Sequence, residues 1–154
     1  DLVTYHIDSP LAPASELRVP QLRMISLKRP DCDRRELLRA LGELEAWLQV
    51  HSGSELEPAA KSNLSDCHKR LAESDLIVAR FYTAVEQWDG ARIHAERALA
   101  LAKLSGDAPT IAKSEKALAR VASKALVPES PPSLPIPASE ASGNAAAVPG
   151  RSTP

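Results

Sequence analysis

Leu71-Ala72-Glu73-Ser74-Asp75-Leu76-Ile77-Val78-Ala79-Arg80-Phe81-Tyr82-Thr83-Ala84-Val85-Glu86-Gln87-Trp88-Asp89-Gly90-Ala91 is the stretch on which the fold turns. It reads as the end of one helix closing in aromatics, a very short turn, and the start of a second helix lined with alanine. Helical hairpin repeats are built this way. A chain of such hairpins is a scaffold, and a scaffold binds rather than catalyses.

Upstream, the same helix carries a regular apolar stripe. Ala60, Leu64, Cys67, Leu71, Ser74, Val78, Phe81 and Val85 recur at alternating steps of four and three, which places them on one helical face. Phe81 is therefore expected in the core. A stripe of this length also suits a coiled coil. Cys67 and Ser74 are weak seam residues, however, and Ile77 and Tyr82 widen the face at its end, so a globular helix pair is the better reading. The helix is expected to open at Ser54 or shortly after. Ser54 and Glu57 have capping-box spacing, and Pro58 is tolerated in a first turn.

Downstream, the next helix is expected from about Asp89 to Leu104. Ala91, Ala95, Ala98 and Ala102 form a smooth face that should lie against the preceding helix, flanked by Leu99 and Leu101. Ser105-Gly106-Asp107 should end it. Asp107 then caps a further helix with Pro109 in its first turn, and Ile111, Leu118, Val121, Ala122 and Ala125 are expected along one side, with Pro128 as the stop.

On the N-terminal side a helix is expected from Asp33 to near His51. Asp33 and Glu36 have capping-box spacing, and Leu37, Leu41, Leu44 and Leu48 share a face. Gly53 suits a left-handed position after it. Residues 1–32 hold Pro10, Pro13, Pro20 and Pro30, a spacing that breaks long helices. This segment is expected to be mostly irregular, with at most a short helix around Ser15–Leu27 interrupted at Pro20.

Composition sets the outer limits. At 154 residues the chain allows one domain of ordinary size. Residues 127–154 turn to Pro, Ser, Ala and Gly with few large apolar residues, so a disordered tail is expected there. Its Pro132-Ser133-Leu134-Pro135 has polyproline spacing but no basic residue beside it. The organisation read from sequence is thus an irregular segment 1–32, an all-α helical-hairpin domain 33–126 and the tail. The formal net charge is −1 with interleaved signs, and no Lys/Arg stripe is apparent, which argues against a nucleic-acid partner. No apolar run approaches a membrane span. The first residue is Asp1 rather than Met, so a targeting signal is not legible here.

The period of the helices is near the roughly 34 residues of a tetratricopeptide repeat. Setting Tyr82 on that repeat's first aromatic puts Trp88 on its second, and Ala91 and Ala98 on its small positions. The place of its inter-helix glycine is taken by Glu86, and that of its closing proline by Lys103. Further, Arg29-Pro30-Asp31-Cys32-Asp33, His51-Ser52-Gly53-Ser54, Arg70-Leu71-Ala72-Glu73 and above all Val78-Ala79-Arg80-Phe81-Tyr82 resemble the outer-membrane β-barrel assembly lipoprotein BamD and its relatives. The resemblance spans residues 30–102, about half the chain. Ser74-Asp75 and Gln87-Trp88-Asp89 depart from the family pattern, and the family's lipid-carrying cysteine and its five repeats are not found in these residues. The resemblance implies a non-enzymatic scaffold at the periplasmic face of the outer membrane. Such a scaffold would contact a barrel-assembly protein and unfolded clients, and would touch the membrane only through a lipid anchor. The alternative is a cytoplasmic tetratricopeptide-like adaptor or regulatory module.

No motif argues for catalysis. His6, His51, His68 and His94 are scattered and read as surface residues, which leaves no zinc site and no expected cofactor. Glu43 with Glu45 and Glu55 with Glu57 read as solvated charges. Cys67 reads as a small buried hydrophobe and Cys32 as a loop residue; whether they pair is left open by the sequence. The candidate protein-binding residues are Arg80, Tyr82 and Trp88. Arg80 lies off the stripe, where Glu73, Glu86 or a partner could meet it. Tyr82 should pack on the next helix with its hydroxyl near solvent. Trp88 sits at the turn as a packing residue or an exposed anchor.

Overall fold

The computed structural model describes residues 9–27 and 34–125 of the chain. Among these the fold is all-α. The helices are α1 (Ala12–Ser26), α2 (Arg34–Val50), α3 (Glu57–Ala84), α4 (Trp88–Ser105) and α5 (Ala108–Ala125). The residues assigned to the tail, together with Cys32, Asp33 and His6, lie outside the described residues. None of the described helices is long and apolar enough to cross a membrane.

α2 buries Leu37, Ala40, Leu44 and Trp47, one row at three- and four-residue steps. α3 meets this row with Ala60, Cys67 and Leu71. The two helices run antiparallel, since the Cys67 thiol donates to the Leu37 carbonyl at 3.3 Å while Arg34 reaches Asp75 further along α3. Burial pushes the Cys67 thiol up to about 11, against a smaller lowering by Arg70. Each fully buried leucine of this core contributes about 1.5–3 kcal/mol.

Between α2 and α3 the chain turns through Gly53, at a left-handed φ of 79°. Glu57 accepts a hydrogen bond from the Gly53 backbone N–H, and Ser54 Oγ accepts one from Leu56 N at 3.2 Å. The expected cap residues are thus both engaged, but α3 itself begins at Glu57, with Pro58 in its first turn.

α3 and α4 form an antiparallel hairpin in which Asp75 meets His94 and Ser65 Oγ donates to the Ser105 carbonyl at 2.6 Å. Ala91, Ala95, Ala98 and Ala102 of α4 are fully buried, as are Ala72 and, within 1 %, Ala79 of α3. Small side chains on both helices let the backbones approach closely. The turn closes through paired backbone bonds, Gln87 N to Tyr82 O at 2.9 Å and Glu86 N to Thr83 O at 3.4 Å. This is the helix ending in which glycine is favoured at the left-handed position. Glu86 occupies it at φ 58°, the one non-glycine residue with positive φ among the described residues. A left-handed non-glycine residue costs about 1–2 kcal/mol.

Gly106, at φ 69°, ends α4. Asp107 Oδ2 then accepts bonds from Thr110 N at 3.0 Å and Thr110 Oγ1 at 2.6 Å, which caps α5. The Thr110 hydroxyl first, and then Lys69, hold the Asp107 carboxyl down to about 2. The buried row of α5 is Thr110, Ser114 and Val121, with Ile111, Ala117 and Leu118 half-buried. Ala122, expected on this side, is exposed. The row runs one position earlier than its aliphatic residues suggest, because Thr110 and Ser114 are buried in place of larger side chains. Each satisfies its hydroxyl locally, Ser114 by donating to the Thr110 carbonyl at 2.8 Å.

Two expectations are corrected. Residues 12–26 are one continuous helix rather than irregular chain, and Pro20 lies inside it, buried. Tertiary bonds offset the proline's missing donor. Arg23 bridges Glu36 at 2.8 Å and Glu43 at 3.0 Å, and Trp47 Nε1 donates to the Pro13 carbonyl at 2.9 Å. Arg70 of α3 caps the far end, donating to the Met24 carbonyl at 2.6 Å.

Phe81 is not in the core; it is 61 % exposed. α2 begins opposite Asp75, so it does not extend over the last turns of α3. There the buried row shifts from Leu71 and Ser74 to Ala72, Asp75 and Ala79, facing α4. Truncating Phe81→Ala should accordingly change unfolding free energy by less than about 0.5 kcal/mol, the range of a surface substitution. Leu71→Ala, at a fully buried site, should cost about 2–5 kcal/mol in the same urea titration.

Candidate protein-binding groove

A groove of about 800 Å³ runs between the second half of α3 and the length of α5. α4 lies behind it and lines none of it. Leu76, Ile77, Ala117 and Val121 supply apolar surface, and Arg80, Lys113, Lys116 and Arg120 supply charge. Ile77 remains 39 % exposed and Val121 is covered. Lys113, Lys116 and Arg120 fall at i, i+3 and i+7, which is one face of α5. A Lys/Arg stripe is therefore present, contrary to the expectation from sequence. Its spacing is legible in residues 113–120 once the helix is phased on Thr110 and Asp107.

The three residues singled out by sequence go to different places. Arg80 is exposed and lines the groove. Tyr82, about 200° away around α3, turns to the opposite side. It stacks on His94 of α4, with ring centroids 5.5 Å apart and planes at 15°. Trp88 is half-buried at the first position of α4 and lies outside the groove. Phe81 meets Tyr82 edge-on at 5.6 Å.

The wall behind the groove is fixed by a buried carboxylate. Asp75 is fully buried. Its Oδ2 accepts from Arg34 Nη2 at 2.8 Å, with Arg97 Nε at 3.9 Å, and its Oδ1 lies 2.8 Å from His94 Nδ1. One residue of α3 thereby joins α2 and α4. In sequence Asp75 signals itself only as a charge set between the small residues Ala72 and Ala79 on the row that faces α4.

His94 and His68 are not surface residues as expected. His94 belongs to this cluster, and His68 is buried, its imidazole pushed down in pKa by desolvation. His51 is half-buried and bonded to Glu16 at 2.7 Å. Among the described residues no group of three His, Cys, Asp or Glu side chains gathers where a metal could bind.

The site is suited to recognition. It offers an apolar floor, a cationic rim and a rigid backing helix. Compared with known proteins, the chain matches no family model and no curated sequence.

The packing of Tyr82 makes a specific prediction. A methyl group at Gly90 would lie 2.9–3.2 Å from three atoms of the Tyr82 ring, and that ring is held by His94. Gly90→Ala should therefore destabilise by about 1–2 kcal/mol through overpacking. In a Tyr82→Ala background the same change should become neutral or stabilising, as helix propensity alone would have it. Urea unfolding of the four proteins in this cycle measures the reversal.

Proposed function

We propose that the chain is a protein-binding scaffold of tetratricopeptide-like hairpins serving outer-membrane β-barrel assembly at the periplasmic face. The observation that carries this is the Val78-Ala79-Arg80-Phe81-Tyr82 run at the end of α3. It is the most specific part of the likeness to BamD-type lipoproteins. In the fold it divides its labour, with Tyr82 fastening α3 to α4 while Arg80 faces the open groove. The left-handed turn at Glu86, where the repeat has glycine, and the alanine face of α4 support the same hairpin type.

In this reading α3, α4 and α5 form the first hairpin and the opening helix of the next, and the groove is the surface offered to partners. The partners are a barrel-assembly protein and its unfolded clients, and no bond-making chemistry is asked of the chain. A cytoplasmic adaptor would use the same groove for a different partner.

Isothermal titration of the purified chain with the periplasmic domains of its own barrel-assembly protein tests the reading. Saturable binding with Kd on the order of 1–100 μM, weakened by Arg80→Ala, is the expected result. No heat of binding at high micromolar concentration, together with protease protection of the chain inside intact cells, would favour the cytoplasmic adaptor instead.

A further inference from the structure

We infer that the groove between α3 and α5 takes an acidic, amphipathic segment of a partner protein. The inference rests on the scaffold reading and names the chemistry of what the scaffold holds.

The distribution of ion pairs points to it. Many of the cations elsewhere in the fold are engaged, although Arg18, Lys103 and Lys124 form no ion pair among the described residues. Arg23 and Arg39 pair with Glu36, Lys61 with Glu57, Lys69 with Asp107, Arg92 with Asp89 and Arg34 with Asp75. Arg70 is spent on the carbonyls that end α1. Arg80, Lys113, Lys116 and Arg120, by contrast, form no ion pair among the described residues, and all four line one groove. Glu73 is the lone carboxylate among its lining residues. Like charges at i, i+3 and i, i+4 destabilise a helix, so the α5 row works against the isolated fold. Carboxylates from outside would relieve it.

The floor narrows the occupant further. Ile77 is partly exposed between these cations, so a ligand that fills the groove needs aliphatic as well as acidic side chains. None of the lining residues is aromatic, so the groove lacks the ring platforms on which single-stranded nucleobases stack best. A peptide that alternates acidic and aliphatic side chains matches both requirements, its carboxylates on the rim and its aliphatic groups on Ile77.

Fluorescence anisotropy with a short labelled Glu/Leu peptide and its Gln/Leu counterpart tests this on the full chain. The Glu/Leu peptide should bind about tenfold tighter or better at low salt, and the advantage should shrink as ionic strength passes about 0.15 M. The triple variant Lys113→Ala, Lys116→Ala, Arg120→Ala should lose that advantage. Lys103→Ala, which removes an unpaired cation elsewhere on the surface, should keep it. Ile77→Glu should weaken both peptides. Circular dichroism and thermal unfolding of each variant establish that the fold is retained.

Equal binding of the two peptides by the native chain would overturn the inference, as would a triple variant that still prefers Glu/Leu. Tighter capture of phosphatidylglycerol vesicles or of single-stranded oligothymidine through the same cations would overturn it too. The triple variant is also titrated with the barrel-assembly domains. If the native chain shows no acidic preference yet both proteins bind those domains equally, the inference fails while the scaffold reading stands. If the acidic preference holds and the domains do not bind, the assembly partner is wrong and the groove chemistry is right.

Discussion

The buried carboxylate of Asp75 is the constraint on which the arrangement of helices depends. A fully buried charge costs several kcal/mol unless it is paired and hydrogen-bonded. Here both oxygens are engaged, by Arg34 from α2 and by His94 from α4. The requirement therefore acts on three helices at once. It fixes where α2 starts along α3, and it fixes the register of the α3–α4 hairpin. In that register Tyr82 lies over Gly90, the alanine faces coincide, and Ser65 meets Ser105 at the far end. A one-turn slip would strip Asp75 of His94 and set larger residues against the alanine row.

The far end of the hairpin sets the groove. Gly106 turns the chain, and Asp107 is held between the start of α5 and Lys69 of α3. α5 is thereby laid beside α3 with α4 behind both. The cationic face of α5 and the exposed edge of α3 then meet across open space. Function in this account follows from register, since Arg80, Lys113, Lys116 and Arg120, which line the groove, form no ion pair that would stabilise the fold. Asp75, His94 and the alanine row of α4, which stabilise it, lie behind.

The features legible in sequence are those governed by neighbours along the chain. Gly53 and Gly106 mark left-handed helix ends, Asp107 caps α5, and the four alanines of α4 announce a close helix contact. The features that were not legible depend on distant residues. Pro20 argues locally against a helix, yet α1 forms because Glu36 and Glu43, which pair with Arg23, and Trp47 and Arg70 supply bonds from elsewhere. Phe81 keeps the stripe's spacing but lies beyond the reach of α2. Asp75 and His68 carry no local sign of burial because it is decided by residues distant in the chain, Arg34 before Asp75 and His94 after it among them. The Lys/Arg row of α5 was hidden by a nearly neutral overall charge, which averages away a one-sided face. Of the three binding candidates chosen from sequence, only Arg80 lines the groove; its companions Lys113, Lys116 and Arg120 become visible once the fold sets α5 beside α3.

The most direct test of this account is a double-mutant cycle on the pair that joins α2 to α3, read by urea unfolding at neutral pH. Asp75→Ala should cost about 3 kcal/mol, because it strands Arg34 and His94 in a half-buried setting. Arg34→Ala should add little in the Asp75→Ala background, which would give a coupling of about 1 kcal/mol or more. A loss below about 0.5 kcal/mol for Asp75→Ala, or strictly additive effects of the two changes, would contradict the claim that this carboxylate sets the register of the helices.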